Sequence, residues 1–110
     1  MKLIYLAGKY SGDVDANIAE ARRWAVKLWE AGYAVICPHL NTAHMEIDCK
    51  AQYEDYLRGD FMMIERCDAI FLLPNWQDSS GATREREHAI ANGIHVEDLS
   101  QQGWQMWASL

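Results

Sequence analysis

A three-layer, doubly wound α/β fold, with a parallel sheet of four to five strands between two helix layers, is what this 110-residue sequence predicts. Three observations carry that expectation. Short apolar runs recur at Lys2–Ala7, Tyr33–Cys37 and Asp68–Leu73, without the polar alternation of a strand that faces water on one side. Amphipathic helical patterns separate them. The connections are short, and in alternating strand–helix chains that gives parallel strands joined by right-handed crossovers.

Each element follows from local chemistry. The first run, KLIYLA, stops at Gly8, and Gly8-Lys9-Tyr10-Ser11-Gly12-Asp13 reads as a loop. Asp13 or Asp15 then caps a helix whose apolar face is Ile18, Ala21, Ala25, Leu28 and Trp29, with Gly32 as its stop. The second run, YAVIC, ends at Pro38, and a loop follows through His39, Asn41 and His44. A helix is expected over about residues 50–66, with Tyr53, Leu57, Phe61 and Ile64 on one stripe. The third run, DAIFLL, gives way to the loop Pro74–Gly81. A helix over Ala82–Asn92 is stopped by Gly93, and Ile94–Glu97 reads as a short fourth strand. The tail from Ser100 to Leu110 is rich in Gln and Trp, and it reads as a docking element for the body or for a second subunit. This flavodoxin- or Rossmann-like arrangement binds ligands outside the carboxyl ends of its strands, which places three loops on one rim.

Composition narrows the function classes. Half of the residues are hydrophobic, too many for a disordered chain, and the length suits one domain over residues 1–110. Ten Lys and Arg against sixteen Asp and Glu leave a net charge of −6, which argues against binding a nucleic acid polymer. No apolar run approaches the ~20 residues of a membrane span. Met1-Lys2-Leu3 leads straight into a strand pattern instead of a signal peptide, and three cysteines form no paired framework; a cytoplasmic protein is expected. The loop after the first strand matches neither a Walker motif nor G-x-G-x-x-G. The spacing of Cys37, His39, His44 and Cys49 fits no usual zinc pattern, so neither metal nor cofactor is expected.

Two carboxylates stand out of place. Asp60 falls on the inward stripe beside Phe61, three residues after Leu57 and four before Ile64, where an unpaired charge is costly. Alternatively, Gly59 breaks the pattern and Asp60 caps a helix that begins there. Glu85 shares its helix face with Asp78, Gly81, Ala82, Ala89 and Asn92, a small-residue surface that leaves room for a ligand or for close packing on the sheet. The other reading makes Glu85 an exposed helix charge paired with an arginine. Glu87 points nearly the opposite way. The loop Asp78-Ser79-Ser80-Gly81 offers hydroxyls and helix-start N–H groups as an anion cradle, although N-capping accounts for one hydroxyl. His39 and Trp76 lie on the same rim, and Trp76 is placed to stack on a planar base.

Taken in order, these residues form a pattern: Tyr5-Leu6-Ala7-Gly8, Asn17, Asp60 with Asp68, the strand Ile70–Leu73, Asn75-Trp76, and Ser80-Gly81-Ala82-x-x-Glu85-x-x-x-Ala89-x-x-x-Gly93. The pattern resembles the nucleoside 2-deoxyribosyltransferase superfamily, in particular a short phage and bacterial branch related to deoxynucleoside 5′-monophosphate N-glycosidases. The resemblance implies cleavage of the N-glycosidic bond of a nucleoside or its monophosphate. It casts Glu85 as nucleophile, Asp60 as the carboxyl group near the leaving base, and Tyr5 as the hydrogen-bond partner of the nucleophile. Gly8 becomes the backbone position nearest the ligand, with Lys9, Tyr10, His39, Trp76, Asp78, Ser79, Ser80 and Gly81 as further substrate contacts. By the resemblance, Ser79, six residues before Glu85 in ungapped counting, corresponds to a 5′-phosphate-binding position, whereas a one-residue loop shift puts Asp78 there, as in members that bind the sugar hydroxyls of nucleosides. Because such enzymes often complete their site from a neighbouring subunit, the resemblance also implies a homodimer or higher homo-oligomer. The competing expectation is a non-catalytic nucleotide-binding module on the same fold.

Overall fold

Strands β1 (Leu3–Ala7), β2 (Ala34–Ile36), β3 (Ala69–Leu72) and β4 (His95–Asp98) form one wholly parallel sheet in the order β2-β1-β3-β4. The computed structural model describes residues 1–107. The chain leaves β1 for one neighbour and later returns to its other side, so the topological switch lies at β1.

Period-two alternation splits the sheet into two packed faces. Ile4 and Leu6 of β1, with Ala69 and Phe71 of β3, meet Ala21, Ala25 and Leu28 of helix α1 (Val14–Glu30). Tyr5 and Ala7, with Ile70 and Leu72, face the other way. There they meet Ile64 of α3 (Tyr53–Glu65) and Ala89 of α4 (Ser80–Ala91). The three layers expected from the sequence are present, with four strands.

Helix ends follow their caps. The Asp13 side chain accepts from the Ala16 N–H at 3.2 Å, and Gly32 takes φ 98° just past the end of α1. Helix α3 starts at Tyr53 because Gln52 and Asp55 cap each other reciprocally. Asp60 therefore lies mid-helix, which removes the reading of it as an N-cap. Helix α4 begins at Ser80, two residues earlier than expected, since Ser79 supplies the cap to the Ala82 N–H at 3.1 Å. The segment after β2, expected as loop, contains a one-turn helix, α2 (Pro38–Asn41), with Pro38 in the first turn, where its missing N–H costs nothing.

The tail docks on its own domain as far as it is described. A last turn, α5 (Trp104–Trp107), packs on the α1 face of the sheet. Trp104 meets Trp24 edge-on at 5.8 Å, and Trp107 stacks on His95 at 4.7 Å. Residues 108–110 of the predicted tail lie outside the described residues. No described helix is long and apolar enough to cross a membrane.

Candidate active site

A cavity of about 730 Å³ opens beyond the carboxyl ends of β1, β2 and β3. Its volume suits a small molecule. Gly8 and Tyr10 line it from the loop after β1, Pro38 and His39 from the turn after β2, and Asp78 to Ala82 from the start of α4. Asp60 and Glu85 line it as well. The rim expected from the order of strands and helices is the rim observed.

Glu85 is 6% exposed, so it is not an exposed charge paired with an arginine. Helix α4 turns Ala82, Glu85 and Ala89 inward, and the two alanines let the helix lie close to the sheet. That approach brings Glu85 within reach of Tyr5, whose hydroxyl donates to Glu85 Oε2. Asp60 comes from α3 and faces the same cavity, near enough for its charge to act on both groups. Burial pushes the Tyr5 phenol well above its ordinary range, and the Glu85 and Asp60 charges push it further, so it stays a donor. Burial also raises the Asp60 carboxyl. Glu85 is raised well above the usual carboxylate range, first by burial and then by the Asp60 charge, while the Tyr5 hydrogen bond acts in the opposite sense. Two interacting carboxyl groups, one buried and one half-buried, do not readily ionise together, so the pair favours holding one proton. A general acid and an anionic nucleophile need that charge state.

The surrounding residues have structural duties of their own. Gly8 lines the cavity, but a Cβ on it would lie 2.4 Å from Leu73 Cδ1 and 2.7 Å from Leu73 Cβ, so close packing with β3 also demands glycine here. The Ser79 hydroxyl is engaged as acceptor in the α4 cap, which leaves its hydrogen available to donate. Ser80 and Gly81 sit beside it in the cavity wall, and a Cβ on Gly81 would meet Tyr53 Oη at 3.0 Å. Tyr10 donates to Glu46 at 2.9 Å and accepts from the His44 N–H at 2.9 Å. His39 is buried, and burial lowers its pKa, so the ring is neutral near pH 7.

Two expected contacts are not brought to the cavity. Trp76 is half-buried against the sheet and donates its indole N–H to Asp98 Oδ2 at 3.0 Å, with the Arg86 guanidinium 5.1 Å above its ring. Its ring is thus occupied as a wedge between α4 and β4. Lys9 takes part through its backbone, while its side-chain stem runs past Gly12. Conversely, Tyr53 and Tyr56 line the cavity and were missed as site residues. Their signal was spacing: residues 53, 56 and 60 recur at three and four, which puts both tyrosines on the Asp60 face of α3. Among the described residues no three His, Cys, Asp or Glu side chains cluster as a metal site requires.

Fold and site define a doubly wound α/β domain with a buried glutamate and a half-buried aspartate at its topological switch, and its backbone is similar to that of solved 2-deoxyribosyltransferases. The solved 2-desoxiribosyltransferase from Leishmania mexicana superposes with a TM-score of 0.65 at 19% identity, over 89% of this chain and 63% of that one. The chain thus spans less than two thirds of that protein's length. The 2-deoxyribosyltransferase from Bacillus psychrosaccharolyticus gives 0.62 at 19% identity, over 87% and 70%. No curated protein matches the chain in sequence. The chain belongs to the DUF4406 family, described as a domain of unknown function, whose model matches residues 2–98.

Proposed function

We propose that this domain cleaves the N-glycosidic bond of a (deoxy)nucleoside or nucleoside 5′-monophosphate and passes the sugar to water or to another base. The observation that carries the reading is Glu85, buried at the cavity wall with the Tyr5 hydroxyl donated to it and Asp60 alongside. In the first step a Glu85 oxygen bonds to the anomeric carbon as the bond to the base nitrogen breaks. The bonding pair leaves with the base, which takes the one proton that the Asp60–Glu85 pair shares, delivered through Asp60 as Glu85 engages the sugar as an anion. In the second step water or an incoming base attacks the same carbon and gives its proton to the Asp60 carboxylate, while the Glu85 ester bond breaks and restores the Glu85 carboxylate. The transition states are oxocarbenium-like, so an anionic carboxylate beneath the anomeric carbon stabilises both.

The closure of the cavity belongs to the same proposal. A second subunit is proposed as the lid; the described tail residues 104–107 pack on the α1 face of the sheet instead.

The test is free-base release, followed by chromatography, from a panel of deoxynucleosides and their 5′-monophosphates. Wild type should release base, Glu85→Ala should release none, and Glu87→Ala, altering an exposed residue, should keep most of the rate. Tight binding without turnover on the whole panel would replace the enzyme by a nucleotide-binding module.

A further inference from the structure

The loop from Gly8 to Gly12 lines the cavity, yet its shape is set by side chains from three other elements. Lys9 is held at both ends of its backbone. Its N–H donates to Asn75 Oδ1 at 3.0 Å, from the turn after β3. Its carbonyl lies 2.7 Å from His39 Nε2, on α2 after β2. A carbonyl only accepts, so His39 donates from Nε2 and is held in that tautomer. Asn17 of α1 completes the set: its Nδ2 donates to the carbonyls of Tyr10 at 3.1 Å and Ser11 at 3.0 Å. Gly12, at φ 95°, supplies the left-handed turn that hands the chain to the Asp13 cap.

These contacts differ from surface decoration. His39 is 4% exposed and its ring meets the Tyr10 ring edge-on at 5.6 Å, so the ring that fixes Lys9 also backs a cavity-lining side chain. A loop that must meet a ligand in one shape gains when its backbone carbonyls are bonded before the ligand arrives, because ordering is then not charged against binding.

We propose that His39, together with Asn17 and Asn75, is a positioning residue: through the Lys9 backbone it presets the Gly8–Gly12 loop and the place of Tyr10 in the cavity. The proposed nucleophile lies outside this set, since Glu85 is held by the Tyr5 hydroxyl and not by any residue of the latch. Loss of the latch therefore weakens substrate binding and leaves the chemical step nearly intact. The activity arm rests on the glycosidic-bond reading; the backbone arm does not.

Three variants test it. His39→Phe keeps a ring and removes the donor, while His39→Gln returns an amide N–H near the position of Nε2. Asn75→Leu, at a half-buried rim position, attacks the other end of the Lys9 backbone, the N–H of the preceding peptide, and serves if His39→Phe does not fold. Two quantities are read: the hydrogen-exchange rate of the Lys9 amide by NMR, and KM against kcat for base release from 2′-deoxynucleosides. His39→Phe and Asn75→Leu should each speed Lys9 exchange by about tenfold and raise KM by a similar factor, with kcat within about twofold of wild type. His39→Gln should restore most of both. Unchanged exchange in the variants, a fall in kcat at constant KM, or a Gln variant as impaired as Phe would each overturn the proposal. If wild type releases no base, the glycosidic reading fails and Lys9 exchange still decides the latch.

Discussion

Tyr5→Phe isolates the hydrogen bond on which the proposed chemistry turns. The substitution removes one oxygen from a fully buried ring and keeps its packing against the α3 and α4 layer. What is lost is the O–H donated to Glu85. That donation favours the ionised form of Glu85, against burial and the Asp60 charge, which both favour the proton. Removing it therefore makes Glu85 hold its proton to higher pH. A hydrogen bond to a charged group contributes about 1.5–3 kcal/mol, and ~1.4 kcal/mol corresponds to one pH unit. The acid limb of the base-release profile should accordingly move up by about one to two pH units. Measured on the acid side of the limb, the rate falls by about ten- to a hundredfold; well above the limb it approaches wild type. A pH–rate series on Tyr5→Phe and wild type checks this, and a carboxyl-selective NMR titration of Glu85 reads the same sign without turnover. A rate loss independent of pH, or an acid limb displaced downward, would refute the reasoning.

Further outcomes follow from neighbouring features. Because the native state holds the Glu85 proton to higher pH than the unfolded chain does, this residue makes the fold less stable as pH rises from the ordinary carboxylate range through its folded pKa. Glu85→Gln should therefore raise the urea midpoint at neutral pH, with the gain vanishing in acid, while base release is lost. Gly8→Ala places a methyl against Leu73 Cβ, which no rotamer change relieves, so urea unfolding should show a loss of about 1–3 kcal/mol. Trp107→Ala removes a half-buried ring from the Tyr33, Phe71 and His95 contacts at the amino end of the sheet, far from the cavity. It should lower stability by about 1–3 kcal/mol and leave KM for base release unchanged.

The layers of the fold are legible because they rest on burial. Strands covered on both faces need runs such as LIYLA and AIFL, and a helix over one face needs alanine and leucine at three- and four-residue spacing. Boundaries decided by a single side chain are less so. Helix α4 reaches back to Ser80 because the Ser79 oxygen can cap it, and serine is equally at home in a loop. The turn Pro38–Asn41 has only four residues, too short for any periodicity to announce it. Its buried histidine reads as one more residue of the ligand rim until the Lys9 carbonyl is seen opposite.

The same distinction explains the site. Asp60 and Glu85 are conspicuous because each interrupts a face that otherwise packs, with Leu57 and Ile64 around one and Ala82 and Ala89 around the other. A carboxylate on such a face is unfavourable unless something compensates it, so its presence already points to a partner. Tyr5 is that partner, but a tyrosine in a buried strand is ordinary, and only the closeness of α4 to the sheet shows where its hydroxyl goes. Trp76 shows the converse. An exposed-looking tryptophan in a rim loop reads as a stacking platform, yet Asp98 and Arg86, far along the chain, draw it onto the body. Partners from distant segments decide the orientation of loop residues, and no local pattern encodes them. The helix-borne carboxylates escape that limit, because helical geometry alone fixes which way they point.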